Sequence, residues 1–272
     1  MSFIPFGFYK SPADGEDADA TAYISAITTA GGSLSGAEET AINSFFVGLK
    51  SDGIYSKLYT MYPFLGGVAN SNKINAVNPG TNDLTFNGTW SHSATGSYAT
   101  KTSSDFADTG FNASASADTT SDYSFSIHIA DRLTSPSYGY NGIGTPYAIV
   151  GFDGNGIDAF YPNVLQVPLG SSTIGGAFGM ISRTGASAWY SAGLPTGSAA
   201  SSGLTKSSVS TDTYTSPFDG NVYINKINSA GFQDGGRYMF SHIGQGLSTT
   251  EADDLLTRVN DLQTAFNRNI FS

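Results

Sequence analysis

The sequence predicts a mainly β protein: an antiparallel β-sandwich preceded by short helices and followed by one more. Three observations predict it. The stretch Ser121–Ala130 alternates Tyr123, Phe125, Ile127 and Ile129 with Ser124, Ser126 and His128, the period of two that gives a strand one apolar and one polar face. From Val68 onward, short runs of the same kind recur between Gly, Asn, Ser and Pro turns, with no helix-length periodic segment among them. Charged residues make up only 12% of the 272 positions and aromatics 13%, so the surface is built from Ser, Thr, Asn, Gly and backbone, as β-rich proteins build it.

Taken in order, Met1–Lys10 is apolar around Pro5 and reads as an arm docked on its own domain or on a neighbouring subunit. Asp17 and Asp19 place negative charge where a helix N-terminus favours it, and Gly31-Gly32 ends that helix. Ser35-Gly-Ala-Glu38 is a capping box. Ile42, Phe45, Phe46 and Leu49 follow at helical spacing until Asp52-Gly53 stops them. Ile54–Tyr62 reads as one or two further helical turns before Pro63.

Strands are expected at Leu84–Phe86, Tyr98–Thr100, Ala107–Phe111, Tyr123–Ala130, Tyr147–Phe152, Val164–Val167, Ala177–Ser182, Ala188–Tyr190, Val222–Ile227 and Arg237–Ile243. The strand at Tyr123–Ala130 is expected half-buried, with its Ser and His side outward. Thr196–Thr215, rich in Ser, Thr, Gly and Ala, reads as a long exposed loop or a weak edge hairpin. Ser248-Thr-Thr-Glu251 is a second capping box, and Leu255, Leu256, Val259, Leu262 and Phe266 form one stripe of a terminal helix. The expected organisation is an arm and helical segment over 1–67, the sandwich over 68–247 and the terminal helix over 248–272.

Charge and composition exclude several classes. A net charge of −10 with 12 scattered Lys and Arg argues against nucleic acid, which needs clustered cations. The absence of Cys removes disulfides, thiolate metal sites and cysteine nucleophiles. No run approaches the roughly 18 apolar residues of a membrane span, and the N-terminus lacks the basic region of a signal peptide.

The search for chemistry is mostly negative. All Glu residues, Glu16, Glu38, Glu39 and Glu251, fall in helical segments, whereas a retaining glycosidase on a sandwich needs two carboxylates about 5 Å apart in its cleft. Asp153 and Asp158 are the best remaining pair, but turn chemistry accounts for Asp153-Gly-Asn-Gly156 without catalysis. The same turn offers Asp153, Asn155 and Asp158 as oxygen ligands for Ca²⁺, although Ile157 and the lack of a following Glu depart from the calcium-loop pattern. Gly154-x-Gly156-x-x-Ala159 matches the dinucleotide fingerprint only formally, because Phe160-Tyr-Pro162 and not a helix follows. His92, His128 and His242 are too far apart in sequence to read as a metal trio. Aromatics among Gly, Ser and Asn remain: Tyr138, Tyr140, Trp90 and Trp189 are the candidate glycan or receptor contacts.

Three ordered blocks, Leu49–Pro63, Phe86–Gly96 and Ile243–Glu251 with its helix, resemble segments of bacteriophage virion structural proteins. That resemblance spans about Asp17 to Arg268. It implies a concanavalin A-like (laminin-G-like) jelly roll and a non-enzymatic particle component: fibre, decoration or tail-associated protein, homo-oligomeric among other virion proteins, with attachment to a host-surface glycan as an added role. The alternatives are a polysaccharide-degrading glycoside hydrolase and a free carbohydrate-binding module on the same fold.

Overall fold

The computed structural model describes residues 15–100, 104–112, 122–130, 139–143, 148–153, 156–161, 164–168, 176–185, 189–195, 203–209, 220–226 and 235–268; the apolar arm at 1–10 lies outside them. The first helix, α1 (Ala18–Thr29), is capped by Asp17, whose carboxylate accepts from the Asp19 and Ala20 N–H groups. Helix α2 (Gly36–Ser51) carries the predicted capping box of Ser35 and Glu38 and buries Ile42, Phe45, Phe46 and Leu49. The expected third helix is corrected. Only Tyr55–Lys57 makes a 3₁₀ turn, and Leu58–Tyr62 is strand β1, paired with the last strand of the chain. Thr60 and Met61 suit either state, and the pairing partner decided between them. A short helix, α3 (Ala69–Asn72), precedes the remaining strands.

Those strands are β2 (Thr85–Asn87), β3 (Trp90–Ser93), β4 (Gly96–Ala99), β5 (Phe106–Asn112), β6 (Tyr123–Ala130), β7 (Gly139–Ile143), β8 (Ala148–Asp153) and β9 (Gly156–Tyr161). They continue with β10 (Val164–Pro168), β11 (Gly176–Arg183), β12 (Trp189–Pro195), β13 (Thr205–Val209), β14 (Asn221–Ile224) and β15 (Gly236–Gly244), before the terminal helix, Thr249–Ala265, here α4. All the pairings are antiparallel. One sheet runs β13-β12-β11-β6-β15-β4-β3 with β1 also on β15, and the other runs β10-β9-β8-β7-β14-β5-β2. We call them the central and the outer sheet. Strands β1, β3, β7 and β9 lie where no strand was expected, whereas β13 lies in Thr196–Thr215, read from sequence as a loop or a weak edge hairpin. β13 forms one end of the central sheet.

The layers number three, not two. Tyr123, Phe125, Ile127, Ile129, Ile181, Tyr238 and Ile243 of the central sheet meet Ala107, Phe111, Val222 and Ile224 of the outer sheet in one core. On its other face, Phe178, Met180, Ala192, Leu194 and Phe240 pack beneath α1, α2 and α4 in a second core. Every residue of β6 is therefore buried. The expectation that its Ser and His side faces solvent is corrected, because helices cover it. Small polar groups fit there because they find partners: His242 lies 2.9 Å from the Ser124 hydroxyl and 2.5 Å from that of Ser126.

Charged contacts tie the helices to one another and to the sheet. Arg258 of α4 donates to Asp52 at the end of α2 at 2.7 Å, Lys50 pairs with Asp17 and Asp19, and Lys57 pairs with Glu251. Among the described residues no helix is long and apolar enough to cross a membrane.

Candidate functional site

Among the described residues, with both faces of the central sheet covered, the broad surface left uncovered is the far side of the outer sheet. Alternation along β5 shows it: Ala107, Thr109 and Phe111 are buried, while Phe106, Asp108, Gly110 and Asn112 stand on the solvent side. On β14, Asn221 and Tyr223 are half-buried and Val222 and Ile224 fully buried. The registers carry the outward row across the sheet, from Thr85 to Asp108 to Tyr223 to Gly142 to Ile149 to Phe160.

Side chains on this face form a cluster. The rings of Phe106 and Tyr223 meet edge to face at 5.6 Å. Lys226 Nζ lies 3.9 Å from the Phe106 ring centroid and 5.4 Å from that of Tyr223. The Asp108 carboxylate accepts from the Gly110 N–H at 2.8 Å and from Asn221 Nδ2 at 3.1 Å. Burial, and then the nearby Asp108 charge, push the Tyr223 phenol above its ordinary value, so it stays a neutral donor. Aromatic faces, a carboxylate, an amide and an ammonium side by side can pack a sugar ring and hydrogen-bond its hydroxyls.

The same face collects three of the residues singled out from sequence. Tyr140 stands opposite Gly151, which stands opposite Asp158, and Asp153 stands opposite Gly156 in the β8–β9 hairpin. Asp153 and Asp158 are therefore diagonal neighbours, positions about 7–8 Å apart. The hairpin also disposes of the dinucleotide reading, since β9 occupies the place a helix would need. Tyr138 and Asn155 lie outside the described residues, and with Asn155 among them the Ca²⁺ expectation is not decided by this hairpin.

The two Trp candidates are elsewhere. Trp90 is half-buried on β3 of the central sheet, its indole N–H donating to the Asn87 carbonyl at 2.9 Å and its ring 4.9 Å from Phe86 and 5.7 Å from Tyr238. Those contacts are packing, and they place Trp90 on the central sheet, apart from the outer-sheet cluster. Trp189 sits on β12, opposite Arg183 and Val209, in the central sheet and away from the cluster.

Nor do the histidines converge. His128 and His242 are fully buried on the helix-covered face of β6 and β15, where loss of hydration pushes both down to about 3. His92 is on β3, held by Ser97 at 2.9 Å. Sequence reasoning missed Phe106, Asp108, Asn221, Tyr223 and Lys226. The available signal was Phe106-x-Asp108-x-Gly110-x-Asn112, an outward register with no apolar member after its first.

No protein-family model matches this chain, and neither does any curated protein. Among solved structures, a Trypanosoma rangeli sialidase mutant displaying trans-sialidase activity is similar over 85% of this chain and 39% of its own, at 10% identity and a TM-score of 0.53. The Trypanosoma rangeli sialidase in complex with 2,3-difluorosialic acid is similar over 80% and 39%, at 12% identity and 0.50. An α-L-arabinofuranosidase mutant follows at 11% identity over 74% and 47%, with a TM-score of 0.47. The chain spans about two fifths of the length of those sialidases. At these identities the likeness is one of fold, and it brings no support to the phage resemblance. The expectation that the chain is not an enzyme is corrected by this likeness, since the proteins similar to it in fold are sialidases.

Proposed function

We propose that the chain is a carbohydrate-active protein of the glycoside hydrolase class, with its glycan laid across the open face of the outer sheet. One observation supports this reading above the others: two carboxylate positions, Asp153 and Asp158, stand diagonally on the same face as the Phe106, Asp108, Asn221 and Tyr223 cluster. Diagonal strand positions about 7–8 Å apart are compatible with two carboxyl groups reaching the roughly 6.5–9.5 Å of inverting glycosidases, where one carboxylic acid protonates the leaving oxygen and the other carboxylate activates a water. Asp108 is not the partner in that pair. Its strand is four strands from β9, roughly 19 Å at about 4.8 Å per strand, so it belongs to substrate binding.

The finer fold reading goes with this proposal. Pairing of β6 with β15 and of β5 with β14, far apart in sequence, supports a jelly roll of the concanavalin A-like kind as that finer reading. A place on a phage particle, which the three sequence blocks imply, is a separate question of location, and mass spectrometry of purified virions tests it.

The functional test is hydrolysis of sialosides, arabinosides and β-glucans by the purified chain, with the anomeric configuration of the product followed by NMR. Inverted product is expected. Asp153→Asn and Asp158→Asn should each lower turnover about 10²–10⁴-fold while oligosaccharide binding survives. Binding and hydrolysis both absent across the panel, or both variants retaining full turnover, would overturn the proposal.

A further inference from the structure

We infer that the Phe106, Tyr223 and Lys226 cluster is a subsite for a sugar carrying an anionic substituent, a carboxylate or a sulfate. This rests on the glycan reading above and names the substrate class that reading leaves open.

Lys226 is set apart by its company. On a chain of net charge −10, Lys50, Lys57, Lys206 and Arg258 each pair with a carboxylate. Lys226 lies instead over two aromatic rings. Ring faces attract an ammonium through their quadrupole and fix its position, but they accept none of its three N–H donors in the way a carboxylate does. The donors stay available on the solvent side of a half-buried residue.

Among the described residues Lys226 forms no ion pair with Asp108, whose oxygens accept instead from Gly110 and Asn221. Tyr223, held neutral, and the edge of the ring pair supply an apolar wall with one donor, against which a pyranose can lie while its acid group reaches Lys226. The subsite, on β14 and β5, is two to four strands from Asp153 and Asp158, roughly 10–19 Å. One oligosaccharide can therefore occupy both places.

The test uses the whole chain and matched ligand pairs: oligomers of galacturonate, glucuronate and mannuronate with their methyl esters, a sulfated galactan with its desulfated form, and acetate alone. Binding is read by NMR and calorimetry at low and high salt. At low ionic strength at least one acid form should bind about tenfold more tightly than its neutral partner, with the difference shrinking as salt screens it. Lys226→Met should abolish the preference, so that acid and neutral forms bind alike, and Lys226→Arg should keep it. Lys226→Gln serves if the Met variant fails to fold. Equal binding of acid and neutral forms, or a preference that survives Lys226→Met, overturns this inference and leaves the glycan reading standing. Acetate binding without any sugar binding overturns this inference and leaves a bare anion site, and no binding at all overturns it as well.

Discussion

His242 shows how one residue's chemistry is set by cover and not by sequence. On a half-buried strand its imidazole would reach water. Under the helices it sits between the Ser124 and Ser126 hydroxyls with no solvent exposure. Burial holds it, and His128 nearby, down to about 3, the Arg268 guanidinium adding to the effect at His128. The unfolded chain binds those two protons near pH 6.5, while the folded one refuses them until about pH 3. Stability is therefore fully present above pH 6.5 and is lost as pH falls toward 3. Thermal unfolding at pH 7, 5.5 and 4.5 should show a falling midpoint before the carboxylates titrate. His242→Gln should flatten that slope, and an unchanged slope would refute the assignment. The same cover explains why no serine–histidine nucleophile is drawn from this cluster, since nothing reaches it.

Helix α4 is the element whose sequence and packing agree most closely. Ser248 accepts from the Glu251 N–H and Glu251 accepts from the Ser248 N–H, closing the capping box. Ala252, Leu255, Leu256, Val259 and Leu262 are buried along one stripe. Its entry is also fixed by the neighbouring turn: a Cβ at Gly246 would collide with the Arg183 carbonyl oxygen, so the chain can approach β11 there only as glycine. Ser248→Ala should cost about 1 kcal/mol and Leu256→Ala about 2–5 kcal/mol, both read from denaturant unfolding. Equal, negligible costs would mean the helix contributes little to the folded state. The stripe and the box were legible because both are local patterns with a period of 3.6. Strand β1 was not legible, because Leu58–Tyr62 is a strand only through its pairing with β15, about two thirds of the chain away.

At the scale of the molecule, the central sheet is held between two apolar layers, and neither its composition nor its alternation announces that. Phe178, Met180, Leu194 and Phe240 depend on α1, α2 and α4 for cover. A chain ending before Ser248 should expose that face, bind a hydrophobic dye and aggregate, while the full chain stays dispersed. A soluble truncated chain with cooperative unfolding would show that α1 and α2 suffice. The three-layer arrangement also selects the site. Once helices occupy one side of the central sheet and the outer sheet occupies the other, the outer sheet's far face is the broad surface that the described residues leave uncovered, and the Tyr140, Asp153 and Asp158 positions fall on it by register.

Local order was written in the chain itself: two capping boxes, the apolar stripes of α2 and α4, and the alternation of β6 and β15 all follow from contacts within a few residues, where propensity and periodicity act. Tertiary structure alone decided what each face meets. It turned the polar side of β6 inward, took Trp90 into packing, and brought Phe106 and Asp108 of one strand beside Asn221, Tyr223 and Lys226 from more than a hundred positions later. Those outcomes depend on strand pairings closed over long loops, and the free energy that selects one pairing over another comes from burying whole faces together, a quantity no single segment carries.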